Sequence, residues 1–272
     1  MLLLVAACGD GFDPIADSED AGFAVFGVLD TAADTQVVRV SPVRRTVEGE
    51  AEEGQAEVWS LVLGTGTAVR WEGRTVLTAG GPPALLFSAA QRLRPGDAVR
   101  LDVQRPGGEA VTRAFTRIPE RARAEAEPPR QAFDQRFILP VTLFGLPQPP
   151  HRVDAVYRLR APEAPEDTLV VFISFLNVFR SGGGWATQVN LQGDRPLVMQ
   201  RLGRDPRDTT LTLVDVGLRV ELRSDEWRLP ETPEPPPNIE NGFGFFASTA
   251  RYLETWPLDA EVASILGYRT DD

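Results

Sequence analysis

The chain predicts an all-β protein, organised as two antiparallel β-sandwiches in succession with one short C-terminal helix. Three observations carry that reading. Short runs of apolar and polar residues alternate with the period of two that a half-buried strand requires. Twenty-four Gly and 23 Pro punctuate these runs at turn-like positions. Helical signals are few, and the best of them lies near the C-terminus. A length of 272 residues with 42% hydrophobic content suits one large or two ordinary domains. A single long Greek-key barrel is the alternative arrangement.

The first candidate hairpin is FAVFGVLD followed by TQVVRVSPV, joined by the four residues TAAD. AEVWSLVL and AVRWEG are two further short strands, separated by Gly64, Thr65 and Gly66. In DAVRLDVQR, Val99, Leu101 and Val103 alternate with Arg100, Asp102 and Gln104, so one face is buried and the other wet. Pro106, Gly107 and Gly108 then turn the chain into EAVTRAFTRIP, and Pro119 is expected to end that strand because it has no ladder donor.

Residues 120–131, ERARAEAEPPRQ, are nearly all charged, Ala or Pro and read as a solvated linker between domains. The organisation predicted is a sandwich over 23–119, the linker over 120–131 and a second sandwich over 132–272. In the second half VDAVYRLRA places Val153, Ala155, Tyr157 and Leu159 on one face. TLVVFISFLNVF is continuously apolar, as a central strand covered on both sides would be. GLRVELRSD alternates Leu218, Val220 and Leu222 with Arg219, Glu221 and Arg223, whose face is expected to meet solvent. LDAEVASILGY has Asp259 as N-cap, Val262, Ile265 and Leu266 at helical spacing and Gly267 as its stop.

Charge and composition exclude several functions. The 39 acids outnumber 28 cations, all of them arginine, for a net charge of -11. Such a chain repels phosphate backbones, so no nucleic-acid partner is expected. No apolar run reaches the ~18 residues of a membrane-spanning helix. One cysteine permits neither an internal disulfide nor a cysteine metal site.

Chemistry-bearing motifs are sparse. His151, the only histidine, follows PQPP and precedes a strand without a nucleophile motif nearby, so it reads as a loop imidazole. The acidic DSED at 17–20 lacks the spacing and glycine of a calcium loop, and SGGGW at 181–185 lacks the lysine of a phosphate loop. No metal, cofactor or catalytic residue is therefore assigned. Two aromatic features are candidate binding surfaces: Trp185, and the Phe243, Phe245, Phe246 trio of NGFGFFAS. For both, core packing is the plainer role. The proline cluster at 229–238 reads as a stiff connecting loop.

The amino-terminal VAAC at 5–8 resembles a bacterial lipobox, with Val5, Ala6 and Ala7 ahead of Cys8. That resemblance implies lipid attachment at Cys8, with residues 1–8 as the tail of a truncated lipoprotein signal and 9–22, rich in Gly and Asp, as a flexible tether. A cationic segment, which such a signal carries, is missing before Arg39.

FAVFGVLDTAADTQVVRV resembles the first hairpin, and RPGDAVRLDVQRPGGEAVTRAFTRIP the closing hairpin, of an immunoglobulin-like domain. With NGFGFFAS, these segments resemble domain-of-unknown-function family 4249, outer-membrane lipoproteins of Bacteroidota associated with TonB-dependent receptors; the likeness runs over most of 21–250. The resemblance implies an immunoglobulin-like first sandwich and an outer-membrane location. It also implies a non-enzymatic accessory or ligand-binding role beside such a receptor, and brings no catalytic residues. The alternative function is an envelope hydrolase with a carboxylate pair in the second domain.

Overall fold

The computed structural model describes residues 22–42, 56–77, 84–132, 136–174, 176–227 and 238–270. Cys8, the tether before residue 22 and residues 229–237 of the proline cluster lie outside the described residues. The architecture is all-β, with three sheets stacked as sandwiches and two helices among the described residues.

Strands β1 (Phe23–Asp30) and β2 (Thr35–Pro42) form the expected opening hairpin, antiparallel from Phe23 opposite Pro42 to Gly27 opposite Val38. β3 (Glu57–Val62) and β4 (Thr67–Arg70) pair across the Gly64–Gly66 turn, where Gly66 takes a φ of 69°. β5 (Glu72–Val76) and β6 (Ala84–Ala90) follow. β7 (Ala98–Gln104) and β8 (Val111–Arg117) pair as expected, and β8 stops two residues short of Pro119. Val99, Leu101 and Val103 are all buried. Each such side chain taken from water contributes about 2 kcal/mol.

The stretch read as a linker is itself partly strand. β9 (Arg123–Ala126) and β10 (Arg130–Gln131) both pair with β11 (Phe137–Phe144). Arg123 and Glu125 are exposed while Ala124 and Ala126 are half-covered, so an edge strand carries the composition of a solvated connector.

β12 (Arg152–Ala161) and β13 (Ala164–Ile173) form a hairpin. β13 was expected to be central and is instead the edge of its sheet, with Val170 exposed and only Val171 and Ile173 buried. β14 (Phe179–Ser181) and β15 (Gly184–Val189) are joined by Gly182 and Gly183, at φ 55° and 81°, so the glycine run is a hairpin turn. Helix α1 (Leu191–Arg201) is an addition to the sequence reading. Asn190 caps it, its Oδ1 accepting from the Gly193 amide at 2.9 Å. Gly193 and Pro196 mask it, because both lower helix propensity and Pro196 supplies no N–H to the preceding turn.

β16 (Thr212–Arg223), a short 3-10 turn at Asp225–Trp227, β17 (Ile239–Glu240), β18 (Gly242–Trp256) and helix α2 (Ala260–Ile265) complete the chain. α2 is the expected C-terminal helix, followed by Gly267 at φ 80°. Its buried face is Ala263 and Leu266, while Ile265 points outward.

One eight-stranded sheet runs through the whole molecule in the order β13-β12-β16-β18-β1-β2-β6-β5. β18 makes it continuous. Its first half runs parallel to β1, Gly242 beside Phe23 through Thr249 beside Asp30, and its second half runs antiparallel to β16. A five-stranded sheet, β17-β8-β7-β3-β4, packs on one half, and a second, β10-β11-β15-β14 with β9, belongs to the other. Residues of both sandwiches join in one buried cluster, from Val25, Leu85 and Leu101 to Leu143, Tyr157 and Leu218.

Candidate functional site

Beyond its buried side, the eight-stranded sheet presents an outer face whose two regions differ in chemistry. Where β12, β16 and β18 lie side by side, that face is a lattice of arginines and acids. Asp154 is fully buried and accepts from Arg152 Nε at 2.9 Å and from Arg219 Nη2 at 2.6 Å. The Arg219 guanidinium also lies 3.9 Å over the Phe172 ring. Arg158 pairs with Asp215 at 2.9 Å, and Arg251 reaches both Asp30 and Glu221. At Arg219 and Glu221 the face read as solvent-facing is covered by paired side chains.

Toward β1 the lattice gives way to aromatics. Parallel register sets Phe243 beside Ala24 and Phe245 beside Phe26, so these side chains share a face. Phe26 and Phe243 are 44% and 47% exposed. Phe245 is half-buried and meets the Trp227 ring edge-on, with centroids 5.1 Å apart. Phe246 corrects the expected surface: one residue further along it points to the opposite face, beside Gly27, and is fully buried in the core. Trp185 stands apart from this strip, on β15 of the other sheet. It is half-buried, donates from Nε1 to the Leu146 carbonyl at 3.2 Å and carries the Arg180 guanidinium over its ring.

A cleft of about 570 Å³ opens where β8 and β16 end. Its walls are the proline-bearing loop from Gly145 to His151, the exit of β8 through Ile118 and Pro119, and the segment from Leu222 to Trp227. The floor is tied down by hydroxyls. Ser248 donates to the Arg117 carbonyl at 2.9 Å, the Ser248 amide donates to Ser224 Oγ at 2.9 Å, and Thr116 Oγ1 donates to Glu226 at 3.1 Å. The Trp227 indole N–H donates to the Ser248 carbonyl at 3.0 Å, which fixes its ring.

His151 is on the cleft wall, with Nε2 3.8 Å from Glu221. Burial, then the positive Arg223, push its pKa below the ordinary histidine value, against the opposing pull of Glu221. Among the described residues no nucleophile is bonded to it. Sequence reading reached His151 and missed its neighbours Arg223 and Trp227, whose four-residue spacing is the only local trace of their stacking.

Elsewhere in the second half, the Tyr157 hydroxyl donates to Asp194 at 2.8 Å in the core beneath α1. Burial raises the Asp194 pKa, and the Tyr157 hydrogen bond opposes the rise. Burial also raises the Tyr268 pKa. Among the described residues no group of three or more His, Cys, Asp or Glu could hold a metal ion, and no helix is long and apolar enough to cross a membrane.

No family model matches the chain, and no curated protein matches it. Among solved structures it is similar to a crystal structure of chicken CNTN1 FN1–FN3 domains, at 10% identity and a TM-score of 0.24. The match covers 88% of this chain and 66% of that one, so the chain spans less than two thirds of that structure's length.

Proposed function

We propose that this chain is a lipid-anchored protein of the cell envelope, held in the outer membrane through Cys8. In this reading it acts without catalysis, as an accessory or ligand-binding partner of a TonB-dependent outer-membrane receptor. The observation that carries a binding role is the exposed aromatic strip of Phe26 and Phe243, backed by Phe245 and Trp227. Contiguous exposed aromatic surface is costly in water and is characteristic of contact sites.

Three buried acids of the second half serve as structural ties and lend no support to the alternative, a hydrolase with a carboxylate pair in the second domain. Asp154 is committed to two arginines, Asp215 to Arg158 and Asp194 to Tyr157. Membership of family 4249 would accord with this location and role.

The test is capture from detergent-solubilised envelopes with the full chain as expressed in its own host. The parent should retain a TonB-dependent receptor and the Phe26→Ser, Phe243→Ser double variant should lose it; equal recovery would sink the docking role. A Cys8→Ser variant should leave the membrane fraction, and unchanged partitioning overturns the anchor.

A further inference from the structure

The cleft beside the aromatic strip contains a cation without an anion. Arg223 is half-buried, lies on the cleft wall and places its guanidinium 4.1 Å over the Trp227 ring. Its Nε is buried and has no hydrogen-bond partner, and among the described residues its side chain forms no ion pair. The acids around the cleft do not fill that role. Glu226 accepts from Thr116, Asp225 is engaged elsewhere, and Glu120 is exposed at the rim.

Four other arginines on this sheet, three of them half-buried, behave differently. Arg152 and Arg219 bind Asp154, Arg158 binds Asp215 and Arg251 binds Asp30 and Glu221. A buried guanidinium nitrogen left without an acceptor is costly, and a planar carboxylate is the group that answers its fork geometry.

Beside its polar side chains, which also include Arg117, Gln148, His151 and Ser224, the cleft has an apolar and stiff part. Ile118, Leu146, Leu222 and Trp227 line it together with prolines 147, 149 and 150, and the volume lies within the range of small-molecule sites. A ligand matching both halves carries one carboxylate and a compact apolar body.

We propose that this cleft binds a small amphipathic carboxylate, an aryl or alkyl acid, with its carboxylate on Arg223 and its apolar body against Trp227, Leu222 and Ile118. The inference deepens the ligand-binding role proposed above by naming the ligand class, and its test does not depend on the lipid anchor or on a receptor.

The probe is naphthaleneacetate, with naphthaleneacetamide as its uncharged counterpart, titrated calorimetrically into the full chain. The acid should bind at least about tenfold more tightly than the amide, the scale of one charge-assisted contact. Arg223→Gln should erase that preference and leave amide binding intact. Trp227→Leu should weaken both probes alike. Retained amide binding shows that the Arg223→Gln cleft is folded, and an unchanged thermal midpoint gives the same check for Trp227→Leu. The proposal is overturned if the parent binds acid and amide equally, if it binds neither, or if Arg223→Gln retains the acid preference. A parent chain that captures no receptor yet keeps the acid preference would instead count against the docking role alone.

Discussion

Arg219 and Arg223 stand four residues apart on the same face of β16, and each lays its guanidinium on an aromatic ring, Phe172 at 3.9 Å and Trp227 at 4.1 Å. The difference is what completes them. Arg219 donates twice to the fully buried Asp154, which also holds Arg152, whereas Arg223 has no acid among the described residues. The same side chain in the same strand is a structural tie at one position and an open contact at the other. The cleft, present only at the second, is what separates a stability role from a binding role.

The largest effect should come from breaking the tie at its centre. Asp154→Asn leaves Arg152 and Arg219 facing a neutral group at a fully buried position. Loss of one partner from a buried ion pair costs about 3 kcal/mol or more; here about 2 kcal/mol is expected, because both arginines keep partial access to solvent. Urea unfolding followed by circular dichroism measures it, and a loss below about 0.5 kcal/mol would show that the lattice contributes no more than a surface salt bridge.

The paired arginines give the next and sharper contrast. Arg219→Gln removes two donors from Asp154 and should cost about 1 to 2 kcal/mol, the scale of hydrogen bonds to a charged group. Arg223→Gln loses only its stacking on Trp227 and should cost less than about 1 kcal/mol. Equal losses in unfolding midpoint would erase the distinction between them, and a larger loss at Arg223 would reverse it.

Local patterns made the strands legible, and their limits explain what was not. Alternation at Val99, Leu101 and Val103 and at Leu218, Val220 and Leu222 places buried faces correctly because period two is a property of the strand itself. The parallel pairing of β1 with β18 joins residues more than 200 positions apart and leaves no local trace, so the continuity of the large sheet was invisible. β13 is as apolar as a central strand and is nonetheless an edge; composition does not encode neighbours. α1 hid behind Gly193 and Pro196, with Asn190 as its one usable signal.

The site was legible only in part. Phe243 was singled out and is exposed, but its face-mate Phe26 was counted as plain strand, and alternation alone could have warned that Phe246 points the other way. The cleft is assembled from three distant segments, 117–120, 145–151 and 222–227, so no stretch of sequence contains it. That Arg223 is unpaired is a fact about where the acids are not.

The smallest expected effect tests that electrostatic picture directly. His151 faces Arg223 across the cleft wall, with Glu221 and Arg152 also near it, and its pKa lies below 6.5 through burial first and the Arg223 charge second. Removing the positive charge in Arg223→Gln should therefore raise the His151 pKa while leaving it under the influence of burial. The sign for stability follows. A histidine whose folded pKa is depressed contributes stability above its unfolded value, and loses it as pH falls through 6.5 toward the folded pKa, because the unfolded chain takes up the proton first. That acid-side loss should be shallower in Arg223→Gln than in the parent. As the only histidine, its ring proton resonances can be followed by NMR through a pH titration without assignment. An unchanged midpoint would mean that the Arg223 charge is neutralised by a group near the cleft, and the unpaired cation that distinguishes it from Arg219 would be gone.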